Sequence, residues 1–204
     1  IEEICRDEQQ LKSGKLQLFF PDGIFYASPA PAGGSGSPSA RELIAAWHFE
    51  EEWGFLQIPA GIEFATYAEA VLAAACGDGV LAPEERTWII GYFASIGAPD
   101  ALLDRLDTTG PSDIGPRLTE HFDAFSQTAA GPFNRGLVYD CFRATTADGS
   151  LAEPERERVF SIAHDLGIDD PVTEKILGAH QDEQAMKSRR LALMFPAGTP
   201  YSAT

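Results

Sequence analysis

Two short acidic motifs recur in the chain seventy residues apart. The first reads Ala74-Ala75-Cys76-Gly77-Asp78-Gly79-Val80-Leu81-Ala82-Pro83-Glu84-Glu85-Arg86. The second reads Ala144-Thr145-Thr146-Ala147-Asp148-Gly149-Ser150-Leu151-Ala152-Glu153-Pro154-Glu155-Arg156. Nine positions are identical between residues 66–106 and 136–176, most of them inside these motifs, so the chain carries a duplicated helix pair. Each copy sets an Asp in an Asp-Gly turn and a Glu in the first turn of the next helix. Carboxylates gathered at one turn are hard oxygen donors, and the ligand they suit is a divalent cation, calcium first. The candidate metal-binding residues are Asp78, Glu85, Asp148 and Glu155.

The EF-hand loop provides a test of that chemistry. Asp78, Gly79, Leu81 and Glu85 fall at loop positions 5, 6, 8 and 12, as do Asp148, Gly149, Leu151 and Glu155. Positions 1 and 3, where the loop requires oxygen ligands, hold Ala74 and Cys76 in one copy and Ala144 and Thr146 in the other. That argues against an ordinary EF-hand. It leaves two half-motifs meeting across a pseudo-two-fold axis and sharing a cation. The same residues also read as structure alone. Gly ends one helix in the left-handed conformation, Leu81 or Leu151 tucks under the turn, and Pro and Glu open the next helix at its positive dipole end.

No other constellation is as well formed. His48, His121, His164 and His180 show no metal-ligand spacing and read as surface or partly buried helix residues. No nucleophile elbow, Walker loop or dinucleotide fingerprint is present, so no catalytic residue is assigned. Cys76 and Cys141 lie on Ala-rich helices and read as small core residues whose thiols nearby carboxylates hold protonated. Trp47-His48-Phe49-Glu50-Glu51-Glu52-Trp53 reads as a helix packing its aromatic face inward and its glutamates outward, or as the rim of a cationic-ligand site. Tyr139 and Asp140, with His121 and Glu120, are candidates for a polar pocket.

The elements that must position these residues are helical. Hydrophobic periodicity predicts helices over Arg41–Trp53, Phe64–Ala75, Glu84–Ile96, Pro99–Leu106, Ile114–Phe125, Pro132–Ala144 and Glu153–Leu166. One or two more, broken at Gly178, are predicted over Pro171–Phe195. Ser39 with Glu42 forms a capping box for the first. Trp88, Ile89, Phe93, Phe122, Phe125, Val159, Phe160 and Ile162 are expected in one core. Ahead of the helices, the apolar runs Lys15–Phe20 and Ile24–Ala27 flank Pro21-Asp22-Gly23 and predict a β-hairpin lying against the main body. The expected organisation is therefore all-α. It comprises a hairpin extension over 1–28, a Pro/Gly/Ser linker over 29–39 that also resembles an engineered joint, a bundle of seven to eight helices over 40–195, and a tail over 196–204.

Composition narrows the partners. The 204 residues include 31 acidic and 15 basic ones, a net charge of −16. Nucleic acid and anionic membrane surfaces both need clustered cations, so both are disfavoured; a cation or a protein partner is favoured. Three cysteines without a CxxC pair, and no apolar run near the roughly 20 residues of a membrane span, fit a reduced, cytoplasmic setting.

The repeated Ala-x-x-x-Asp-Gly-x-Leu-x-x-x-Glu-Arg at a helix junction resembles the TerB-like domains of tellurite-resistance proteins and of some J-proteins, over about residues 66–195. The resemblance implies an internally duplicated all-helical bundle of about seven helices, acting without catalysis in metal-linked stress responses and protein contacts. It carries the family's acidic motif onto Asp78, Glu85, Asp148 and Glu155. The expected function is a non-catalytic acidic module binding a divalent cation, a protein partner or both. The alternatives are a small enzyme using a pocket between the repeats, or a purely structural interaction domain.

Overall fold

The computed structural model describes residues 37–59, 62, 64–113 and 133–198, and the backbone alone of 17–20 and 23–26. Seven α-helices form the described domain: α1 Ala40–Trp53, α2 Phe64–Ala75, α3 Pro83–Ser95, α4 Asp100–Thr108, α5 Asn134–Thr145, α6 Glu153–Asp165 and α7 Asp170–Met194. A single 3-10 turn, Pro111–Asp113, follows α4. The helix expected over Ile114–Phe125, with Phe122 and Phe125, lies outside the described residues. So do the linker over 29–36 and most of the expected hairpin. Of the hairpin, only the backbone of β1 (Gln17–Phe20) and β2 (Gly23–Tyr26) is described, as an antiparallel pair. The all-α architecture rests on the helices, and the hairpin is not established as part of it.

The duplication is longer than a helix pair. Helices α2, α3 and α4 begin at 64, 83 and 100; α5, α6 and α7 begin at 134, 153 and 170. Each repeat is thus a three-helix unit whose starts recur at the same seventy-residue interval. The equivalent helices α2 and α5 pack on each other at the centre, and α3 and α6 each contact both. Close approach is possible because the buried face of α2 is built from Ala68, Ala70, Val71, Ala73, Ala74 and Ala75. Ile89, Phe93, Leu137, Phe142, Val159 and Ile162 complete the core around that pair.

Four expectations need correction. Trp88 and Phe160 are half-buried, because each sits at the core edge beneath an arginine: Arg143 lies 5.3 Å from the Trp88 ring and Arg156 lies 4.3 Å from Phe160. Trp47 is 61% exposed, so the aromatic residues of α1 do not share one buried face; Phe49 goes inward and Trp47 outward. His48 and His180 are buried. Gly178 does not interrupt α7, whose 25 residues are continuous. Its neighbours Lys175, Ile176, Leu177 and Ala179 are mostly good helix formers, and one interior glycine costs only about 1 kcal/mol.

Candidate functional site: paired carboxylates at the repeat junction

The two turns are built alike. The backbone leaves α2 at Ala75 and α5 at Thr145, several residues before the glycines expected to end them. Gly79 and Gly149 then adopt φ of 88° and 98°, a conformation that costs a side-chain-bearing residue about 1–2 kcal/mol. Asp78 Oδ1 accepts from the Val80 N–H at 2.8 Å, and Asp148 Oδ1 accepts from the Ser150 N–H at 2.8 Å. Both aspartates therefore close an Asx turn with one oxygen.

The next helices start on alanine. Ala82 and Ala152 occupy the N-cap position, where a Ser or Asp would normally satisfy a helix N–H. The glutamate half of the capping box is still present. The Ala82 N–H donates to Glu85 Oε2 at 2.7 Å, and the Ala152 N–H donates to Glu155 Oε2 at 2.8 Å. Each glutamate is thus anchored through one oxygen, and both are buried, with Glu85 2% and Glu155 5% exposed.

The structure brings these two glutamates together. Their carboxyl groups act on each other across the repeat junction, each among the causes that shift the other's proton affinity. Gly77 makes the approach possible: a Cβ there would lie 2.7 Å from Glu155 Cα and 2.9 Å from the Pro154 carbonyl oxygen. Two carboxylates so placed cannot both ionise cheaply. Burial pushes Glu85 up to about 8, an effect offset by the Ala82 N–H and reinforced by Glu155 and Asp148. Burial also raises Glu155, with Asp78 and Asp148 adding to the effect. As a carboxylate, Glu85 Oε1 has no donor. A proton held between the two glutamates satisfies it.

The predicted site residues therefore split. Glu85 and Glu155 meet directly, while Asp78 and Asp148 stand in exposed turns and act on them through the field. Among the described residues, no group of three or more His, Cys, Asp or Glu side chains is arranged to hold a metal ion. One oxygen of each glutamate is left over from capping, while the second oxygen of Asp148 accepts from Ser150 Oγ at 3.1 Å. Cys76 beside this junction is a poor nucleophile: burial, then Glu85, pushes its thiol up to about 12.

A second polar cluster was not assembled by the sequence. Asp140 is fully buried. It accepts hydrogen bonds from Tyr67 Oη at 2.6 Å and Tyr92 Oη at 2.5 Å, and pairs with Arg143 at 3.3 Å. Arg143 also reaches Glu52 at 3.1 Å and lies against the rings of Trp88, Tyr92 and Tyr139. Burial raises Asp140 to about 6, while the tyrosines and Arg143 hold it down. Alignment of the repeats carries the missing signal: Asp140 stands at the position of Ala70, a core residue. His48 Nδ1 lies 3.1 Å from Ser95 Oγ, and His180 Nε2 lies 2.7 Å from Thr146 Oγ1. The second nitrogen of each ring is buried without a partner, and burial lowers both imidazoles from their usual range. The Tyr139 hydroxyl donates to Glu183; the partners expected for it, His121 and Glu120, lie outside the described residues. These contacts tie α1, α2, α3, α5 and α7 together.

A cavity of about 520 Å³ is lined by Ser39, Arg41, Glu42, Ile58, Ile62 and Ile96, among others, and so lies beside α1 rather than between the acidic turns. Arg41 within it is committed to Asp100 and to the Ala98 carbonyl. Among the described residues no helix is long and apolar enough to cross a membrane.

No family model matches the sequence, and no curated protein matches it. The fold is similar to the crystal structure of a tellurite resistance protein from Nostoc punctiforme. The TM-score is 0.67 and the identity 28%, over 81% of this chain and the whole of that one.

Proposed function

We propose, on the premise that this chain is a TerB-like helical domain, that it works without catalysis as a divalent-cation-binding module of a metal- or stress-response assembly. The observation that carries this reading is the meeting of Glu85 and Glu155, each buried and each with one oxygen free of its capping bond. A proton and a divalent cation compete for that position. The cation adds enough charge to hold both glutamates ionised and to draw in the second oxygens of Asp78 and Asp148. An all-oxygen, all-carboxylate donor set suits calcium or magnesium rather than zinc or copper. The tellurite resistance named for the Nostoc protein supports a setting in metal stress, and the charge of −16 supports attraction of cations to the surface.

The test is native mass spectrometry with and without chelator, joined to thermal melts in calcium, magnesium and ionic-strength-matched potassium chloride. A bound divalent ion, and a melting-temperature gain lost in Asp78→Asn plus Asp148→Asn, support the reading. The gain should also grow with pH, because the cation displaces a proton. Equal shifts from all three salts reduce the four carboxylates to turn and capping roles.

A further inference from the structure

Helix α7 outruns the domain. Its last buried residue is His180; from Gln181 to Met194 every residue is exposed except the half-buried Leu191. Past Glu183, which Tyr139 holds, the helix runs on from 184 to Met194, about 16 Å. This arm differs in charge from the rest of the protein. Residues 184–195 contain Lys187, Arg189 and Arg190 and no acid, in a chain of net charge −16. Met186, Arg190, Leu193 and Met194 recur at i, i+4, i+7 and i+8, so they share one face, with Lys187 and Arg189 flanking it. Met186, Leu193 and Met194 are 63%, 68% and 65% exposed.

The outer face of α1 has the complementary character. Leu43, Ile44 and Trp47 are 56%, 50% and 61% exposed, and Glu50 and Glu51 continue the same face one turn on. An apolar strip ending in two acids thus stands on the same molecule as an apolar strip threaded with three cations. The two do not cover each other within one chain, since both are exposed. Helix α7 is unbroken from Asp170, so its docked half fixes where the arm points.

We propose that the α7 arm of one copy docks on the outer face of α1 of a second copy, reciprocally, so that the protein forms a two-fold arm-exchanged dimer. The two helices run antiparallel, Leu193 and Met194 pack against Trp47, Leu43 and Ile44, and Arg189 and Arg190 face Glu50 and Glu51. The apolar contacts supply the affinity and the charges set the register. The acids at the end of the α1 strip complement the cations of the arm, and this local match favours a second copy.

The experiment is sedimentation velocity of the full chain over a concentration series at low and high salt. The expected result is a dimer that weakens with salt. Glu50→Lys plus Glu51→Lys, and separately Arg189→Glu plus Arg190→Glu, should each weaken dimerisation about tenfold or more. An equimolar mixture of the two double mutants should restore a dimer, because each arm then meets an α1 face of opposite charge. All four residues are exposed, so circular dichroism should report unchanged folding. A monomer at every concentration overturns the proposal. So does a dimer indifferent to both double mutants, or a mixture that stays monomeric. Flotation with vesicles containing phosphatidylserine is the last arm. Binding that is lost in Arg189→Glu plus Arg190→Glu, with the wild type monomeric, assigns the arm to lipid and overturns the dimer.

Discussion

Replacing Glu85 with Gln should make the domain more stable in mild alkali and remove most of its pH dependence above neutrality. Glu85 is raised from 4.5 to about 8 by burial and by its acidic neighbours. Its unfolded form releases the proton near 4.5, whereas its folded form holds it to about 8. Folding therefore takes up a proton across that window, and stability falls as pH rises through it. The slope is at most about 1.4 kcal/mol per pH unit. Glu155 is also raised but shares the same proton, so the pair contributes one step rather than two. From pH 6 to pH 8 the loss is about 2–3 kcal/mol, or roughly 5–10 °C in melting temperature for a chain of this size.

Glutamine keeps a carbonyl oxygen for the Ala82 N–H, and its amide donates to Glu155 where the proton did. Thermal and urea melts in chelator at pH 6, 7 and 8 are the assay. Wild type and Glu85→Gln should be similar at pH 6 and separate by that amount at pH 8, with the variant the more stable. His48 and His180 do not mimic the effect. Both are lowered by burial, so their stabilisation is lost as pH falls through 6.5, the opposite sense. Parallel slopes for the two proteins would show that Glu85 and Glu155 do not share a proton, and the account of the junction would fail with it.

Two backbone predictions follow from the same packing. Gly77→Ala should cost about 1–3 kcal/mol in urea melts, because the new methyl meets the backbone of Pro154 and Glu155 rather than a movable side chain. Gly178→Ala should add up to about 1 kcal/mol to stability by the same measurement, since the site is inside α7 and nothing lies within 4 Å of the added Cβ.

The repeat was legible because it rests on local rules. Asp in an Asx turn, Gly at positive φ and Glu at the third position of a helix are each specified by a few adjacent residues. Helix boundaries followed within a few positions for the same reason. The site was legible only as a list of four residues. That Glu85 meets Glu155 depends on α2 packing against α5 through small side chains and on the single missing Cβ of Gly77. Neither has a spacing signature. The burial of Asp140 was hidden for a related reason: an acid on a helix reads as solvent-facing unless its repeat partner, Ala70, is recognised as core. Trp47 failed in the other direction, because an indole reads as core whenever it stands beside other aromatic residues.

Duplication itself explains why the junction holds a conflict of charge. A first-turn glutamate is favourable in one copy, where it caps its own helix and meets the positive end of the dipole. Copying the unit and packing the copies through their equivalent helices α2 and α5 brings the same group from each copy to one junction. Serine at the N-cap would leave the glutamates exposed to the same encounter, so no local substitution short of losing the cap relieves it. A proton added to the pair relieves the conflict. Departures from symmetry bias how it is held: Gly77 against Ala147 and Cys76 against Thr146 make the two turns unequal, and Glu85 is the glutamate with the unpartnered oxygen. A junction that must take up a proton links the stability of the whole bundle to the acidity around it. That coupling needs no catalytic group and no moving lid, only the two copies of one capping residue.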